Sequence, residues 1–144
     1  KPVAIRYPKD HWRQPTVPFA GLRPHFWQRG QESCILSVGS LAPLAQAAVA
    51  GTGAAHLHLP VLKPFPEAEL GRLLKPFSRW LLLEELPEQG GVYGPLLKLS
   101  RQLNPRECSR AGLPDRFLAH GPRDYLLAQS GLSLEELQDW LGRS

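Results

Sequence analysis

Apolar and polar positions change period several times along the chain, and each change marks an element. In Leu81 to Leu97, LLLEELPEQGGVYGPLL, an apolar run from Trp80 to Leu83 ends in two carboxylates, Glu84 and Glu85, and a short turn follows. Gly90 and Gly91 then open a segment in which Val92, Leu96, Leu99 and Leu103 fall at i, i+4, i+7 and i+11. That pattern predicts a strand, a turn and a helix. In a parallel α/β sheet such an acid pair closes the carboxyl end of a strand, at the rim where ligands and partner domains dock. Glycine at a helix N-terminus also admits the close approach of a backbone or an anion. Glu84, Glu85, Gly90 and Gly91 are therefore the candidate domain or subunit contact; the alternative is a solvated strand end with a flexible loop.

The other elements follow from the same patterning. Val3 to Tyr7 is a short extended piece closed by Pro8. Gly21 to Trp27 and Ser33 to Val38 flank the polar turn Gln28-Arg29-Gly30-Gln31 and predict an antiparallel hairpin. Its second arm, SCILSV, is apolar on both faces, as a central strand covered by helices requires. Ser40 is a candidate N-cap for an alanine-rich helix from Leu41 to Ala50, with Gly51 at its C-terminal end. Ala55 to Leu59 predicts a third strand whose period of two puts His56 and His58 on one face. No third ligand stands near them, so partly exposed strand histidines are expected rather than a metal pair. Pro66-Glu67 opens a helix with a Leu70, Leu73, Leu74 and Phe77 stripe, stopped by Pro76. A fifth strand is expected near Glu107 to Ala111 and a helix from Pro122 to Ser130, ended by Gly131. Ser133 and Glu136 form a capping box for a last helix with Leu134, Leu137, Trp140 and Leu141 on one face. Strands alternate with helices, so the class is α/β with a mostly parallel sheet and one antiparallel edge strand.

Composition narrows the function classes. With 144 residues, 42% hydrophobic and 21% charged, the chain is one domain with enough apolar surface for a core. No apolar run approaches the ~20 residues of a membrane span, and the start KPVAIRYPKD has no secretory pattern, so the expected location is the cytosol. The net charge of +4 is local: residues 1–30 hold Lys1, Arg6, Lys9, Arg13, Arg23 and Arg29 against Asp10, whereas the remainder carries 11 basic and 12 acidic residues. Without interleaved stacking aromatics or zinc-ligand spacing, this basic arm suits a phosphate on a small substrate better than nucleic acid. Cys34 and Cys108 have no CxxC partner and read as buried thiols. The alanine-rich turn lacks GxGxxG, which argues against dinucleotide binding. Methionine is absent even at position 1, and residues 1–18 carry prolines at 2, 8, 15 and 18. They read as an interdomain connector before a domain spanning 19–144, with something preceding both.

Taken in order, several pieces resemble one family. They are IRYP at Ile5 to Pro8, ILSVG at Ile35 to Gly39, Lys63-Pro64, LEE at Leu83 to Glu85, Gly90-Gly91, GLPDRF at Gly112 to Phe117, and Gly131-Leu132. Together they are similar to the C-terminal domain of transketolase-like, thiamine-diphosphate-dependent enzymes, and IRYPK and GLPDRF look most like the 1-deoxy-D-xylulose-5-phosphate synthase branch. The resemblance covers nearly the whole chain. It implies a three-layer αβα domain with a five-stranded mixed sheet whose first strand is antiparallel. It further implies a homodimer that condenses pyruvate with glyceraldehyde 3-phosphate, releasing carbon dioxide, with thiamine diphosphate and magnesium.

The resemblance also implies what this chain lacks. The GDG-type motif that holds the diphosphate and magnesium, and the glutamate that activates the cofactor, belong to the N-terminal and central domains and do not occur here. No catalytic, cofactor-binding or metal residue is therefore expected in this chain, which would support the dimer and the active-site wall and be inactive alone. The basic residue after Tyr-Pro contacts the acceptor's phosphate in such enzymes, which makes Lys9 the candidate substrate-binding residue and Arg6 its substitute on the opposite side of an extended segment. The branch usually has Arg-Gly where Lys9-Asp10 stand, and Leu86-Pro87 replaces a small or polar residue after the acid pair. Another transketolase, a 2-oxoacid dehydrogenase β-subunit, or a free-standing α/β interaction module are the alternatives.

Overall fold

The computed structural model describes Pro2 and residues 21–143. Lys9, Arg6, the Val3 to Tyr7 segment and, Pro2 apart, the expected connector lie outside the described residues.

Among the described residues, five strands and five α-helices follow one another, strictly alternating between β2 and α4: β1 (His25–Gln28), β2 (Ser33–Val38), α1 (Ala42–Val49), β3 (Ala55–Leu59), α2 (Glu67–Leu74), β4 (Arg79–Glu84), α3 (Tyr93–Leu103), β5 (Glu107–Gly112), α4 (Arg123–Ala128) and α5 (Leu134–Gly142). They form one sheet in the order β1-β3-β2-β4-β5. All neighbouring pairs are parallel except β1, which runs antiparallel to β3. The expected α/β class with an antiparallel edge strand is what the chain adopts.

The period of two along the strands sorts their side chains onto two faces. Cys34, Leu36, Leu57, Trp80 and Leu82 pack against Leu70, Leu74, Leu96 and Leu99 of α2 and α3. Ile35, Leu81 and Leu83 pack against Ala45, Val49, Leu127, Leu137 and Trp140 of α1, α4 and α5. The sheet is thus the middle of three layers, which is why β2 and β4 read as continuous apolar runs.

The hairpin does not form. β1 pairs with β3, placing His25 opposite His58 and Phe26 opposite Leu57, because both edges of β2 are taken by β3 and β4. The connection instead passes close against the start of β3. Gln31 donates its backbone N–H to Gly53 O at 2.8 Å, and a Cβ at Gly30 would lie 2.3 Å from the Ala54 carbonyl carbon. Only glycine fits there.

Other local expectations shift for similar reasons. Ser40 does not cap α1, which starts at Ala42 after a single 3-10 turn over Gly39–Leu41 and has no side-chain cap. His56 is buried rather than partly exposed, Cys108 is only half-buried, and Leu134 points into solvent while Leu137 and Trp140 fill the core. Gly51, at φ +73°, ends α1 as expected, and the Ser133 hydroxyl accepts the Glu136 N–H at the start of α5.

At the amino end of the sheet, Arg79 is only 3% exposed. Its Nε donates to Glu107 Oε2 at 3.0 Å, and its terminal nitrogens donate to Trp140 O and Arg143 O, each at 2.6 Å. Its guanidinium also lies 4.3 Å from the Trp140 ring centre. Burial works against the Glu107 carboxylate, but hydrogen bonds from Ser109, Trp140 and Arg79, with the Arg79 charge, hold it below the usual range. One arginine thereby supplies partners to two carbonyls at the end of α5, Arg143 O and Trp140 O, the latter otherwise holding only a long 3.4 Å bond from the Arg143 N–H. Arg79→Leu should cost about 3 kcal/mol, since it removes the best donor to Trp140 O and Arg143 O and the charge partner of Glu107. Urea denaturation measures the loss, and hydrogen exchange in Leu134–Gly142 should rise first; an unchanged midpoint would show that α5 is held by its apolar face alone.

Candidate functional site

The carboxyl rim of the sheet carries the acid pair. Trp80, Leu82 and Glu84 alternate onto the same face of β4, so Glu84 enters the core on the α3 side while Glu85 turns to the surface. The Glu84 side chain is 0% exposed. Its Oε2 accepts the Val92 N–H at 2.9 Å, and its Oε1 accepts Arg110 Nε at 2.8 Å. Arg110, on the same face of β5, also donates to Leu86 O and, at 3.3 Å, to Leu113 O.

Two glycines make room for this pair. A Cβ at Gly91 would lie 2.1 Å from Glu84 Oε2, and one at Gly112 would lie 2.4 Å from Arg110 Nη2. The close approach that Gly91 permits is therefore made by a carboxylate of the same chain. Glu84 serves the start of α3, where Val92 stands in the N-cap position without a side-chain cap of its own. A second cluster covers the surface above: Ser40 Oγ donates to Glu85 Oε1 at 2.6 Å, Arg123 pairs with the same oxygen, and Arg123 donates to Ser40 Oγ at 3.1 Å. Of the four rim candidates, Gly90 is exposed, Glu85 and Gly91 are half-buried, and Glu84 is enclosed.

Chemically, Glu84 is committed. Both its oxygens hold internal partners and neither reaches solvent, so it offers no general base and no magnesium ligand. Among the described residues, no group of three or more His, Cys, Asp or Glu side chains is placed to hold a metal ion. These residues do not fit a site for a diphosphate and its metal.

A polar cluster that the patterning missed lies between α1 and the β1–β3 edge. His56 Nδ1 donates to Gln46 Oε1 at 3.1 Å, which leaves its Nε2 to accept from Ser37 Oγ at 2.7 Å. The Ser37 oxygen then accepts from His58 Nδ1 at 2.9 Å. Trp27 packs on both imidazoles, with ring centres 5.3 Å away in each case. Burial first, then the His58 and His25 rings, push His56 down to about 3. His58 is lowered mainly by burial and next by His25, with Ser37 opposing.

The signals for these partners were faint. Period-two parity already put Glu84 on the Trp80 and Leu82 face, and Arg110 is a lone arginine two residues before a glycine in a strand pattern. Nothing local connects Ser37 to His56.

The structure matches the C-terminal domains of transketolases. A split-gene transketolase, described as an inactive β4 tetramer, superposes with a TM-score of 0.72 at 19% identity over 90% of this chain and 44% of that one. A transketolase from Pichia stipitis superposes at 0.58 and 17% identity, over 82% of this chain and 17% of that one. No profile of a known protein family matches the chain. In sequence, the chain is similar to 1-deoxy-D-xylulose-5-phosphate synthases: that of Shouchella clausii is 29% identical over 97% of this chain, and that of Edwardsiella ictaluri 31% identical over 99%. The chain spans only 24% of the length of each, and corresponds to the C-terminal part.

Two outcomes test these clusters. Gly91→Ala should destabilise the fold by about 3 kcal/mol in urea denaturation, because the Glu84 carboxylate cannot move without giving up its bonds from Arg110 Nε and the Val92 N–H; Gly90→Ala, whose Cβ meets nothing closer than 3.7 Å, is the mild control. Equal effects of the two would refute the packing argument. For pH, His56 is neutral in both states above its ordinary 6.5, whereas below it the unfolded chain binds a proton that the folded chain refuses down to about 3. Stability contributed by neutral His56 is thus complete above 6.5 and lost as pH falls toward 3, with about 2 kcal/mol gone by pH 5. Denaturation midpoints between pH 7.5 and 5 measure this slope, and nitrogen NMR of His56 should show a neutral ring throughout; a ring that charges near 6.5 would contradict it.

Proposed function

We propose that this chain is the C-terminal domain of a 1-deoxy-D-xylulose-5-phosphate synthase, a cytosolic homodimer that joins pyruvate to glyceraldehyde 3-phosphate with loss of carbon dioxide. The observation that carries the reading is the extent of the similarity: it runs along 97% to 99% of this chain but 24% of the relatives. A domain of a larger enzyme accounts for that ratio. Thiamine diphosphate and magnesium would be held by the N-terminal and central domains and supply the carbanion chemistry there.

This domain's part is support and positioning. Residues 19–144 form the domain and 1–18 the connector leading into it. Glu85, Gly90 and Gly91 form the accessible part of the rim contact, held in shape from beneath by Glu84. Lys9, with Arg6 as substitute, meets the phosphate of the acceptor as a point charge. A second reading, a separate subunit of a split transketolase, draws on the split-gene match.

The test uses the complete natural protein with pyruvate, glyceraldehyde 3-phosphate, thiamine diphosphate and magnesium. Carbon dioxide release that depends on the aldehyde phosphate is expected. Lys9→Ala should raise the Michaelis constant for the aldehyde phosphate about tenfold to a hundredfold and move that of pyruvate far less. Turnover of ketose phosphates in place of pyruvate would favour the second reading, and saturable micromolar binding of thiamine diphosphate to residues 1–144 alone would overturn the division of labour.

A further inference from the structure

Large apolar side chains left in water are few among the described residues, and three of them stand together. Phe117 is fully exposed, Tyr125 is 55% exposed and Leu118 is 37% exposed. They border a hollow of about 320 Å³ between the loop after β5 and the face of α4, which Pro114, Leu126 and Gln129 help to line. The loop is anchored at both ends. Arg110 donates to Leu113 O, the Arg116 N–H bonds to Pro114 O at 2.9 Å, and Leu126 N–H bonds to Pro122 O at 3.1 Å as α4 begins. Leu127, on the opposite side of α4, is buried in the core. The apolar residues between these anchors point away from the core.

Little else on the described surface is both apolar and continuous. The two sheet faces are covered by this chain's own helices, and Arg79 with α5 closes the amino end of β4 and β5. We propose that the Phe117, Leu118 and Tyr125 surface seats an apolar face of the upstream domains of the same enzyme; this rests on the reading of the chain as one domain of a longer protein. Area favours that occupant over a second copy of this domain. Two aromatic rings and a leucine offer on the order of 400 Å², well below the roughly 800 Å² per partner of a stable complex between free molecules. A tethered domain needs far less, because the connection raises its effective concentration to about the millimolar range. The relatives are some four times the length that this chain matches, so such domains exist in them.

The experiment places a photoreactive benzoylphenylalanine at position 117 of the complete natural protein and maps the cross-links by mass spectrometry, with position 134 as control. Cross-links from 117 into residues upstream of this domain are expected, and none from 134. Phe117→Ser should leave the domain's own melting temperature unchanged, since the ring makes no buried contact here. It should speed proteolysis at the junction with the upstream domains by about tenfold to a hundredfold, the loss of one buried aromatic. Leu134→Ser should change neither. Cross-links into residues 21–143 of another copy, or no capture at all, would overturn the proposal. Upstream capture in a protein that does not decarboxylate pyruvate would keep the surface and discard the reaction assigned above.

Discussion

The buried ion pair of Glu84 and Arg110 organises the carboxyl rim, and much of the nearby chain has the composition it has because of that pair. A carboxylate taken out of water is unfavourable by several kcal/mol unless its oxygens are met. Here the Val92 N–H and the Arg110 guanidinium meet them. Gly91 and Gly112 then follow, since any side chain at either position would occupy the pair's space. So does the start of α3, whose first turn is held by Glu84 in place of a capping residue, and so does the anchoring of the loops at Leu86 and Leu113, whose carbonyls take the remaining arginine donor.

The same two strands are closed at their other end by a second pair. Arg79 and Glu107 lie opposite each other in the β4–β5 register, on the α5 face, whereas Glu84 and Arg110 lie on the α3 face. Each pair reaches beyond the sheet: the first to the end of α5, the second to the start of α3. Apolar burial supplies the bulk of the stability, being non-directional, but these directional contacts decide which helix end sits over which strand end. For a domain whose proposed role is to brace others, a fixed rim matters more than a reactive one. Glu84 illustrates the trade: its carboxylate sets local geometry and has no oxygen left for chemistry.

The polar cluster of Gln46, His56, Ser37 and His58 shows a different solution to burial. Its members stay neutral, and a single serine hydroxyl serves as donor to one imidazole and acceptor from the other. This satisfies the interior without any net charge, at the cost of sensitivity to acid. It also ties α1 to the sheet on the side where β1, the short antiparallel edge strand, adds the least support.

What the sequence by itself determined was everything carried by local period and local chemistry. The Val92, Leu96 and Leu99 stripe, the doubly apolar β2 and β4, the glycine ending α1 and the serine cap of α5 each depend on neighbours a few residues away. The family likeness belongs here too, since it rests on ordered short motifs. Tertiary structure alone decided the pairings across the sheet. β1 and β2 are adjacent in sequence and look like a hairpin, yet the two edges of β2 are filled by strands that arrive later, so β1 pairs with β3. Glycine at position 91 reads as an opening for a partner until Arg110, far along the chain, is seen to hold Glu84 against it. His56 looks half-exposed until Ser37 and Gln46 close over it. In each case local sequence states which groups need partners, while the crossovers that bring distant strands together determine which partner comes within hydrogen-bonding distance.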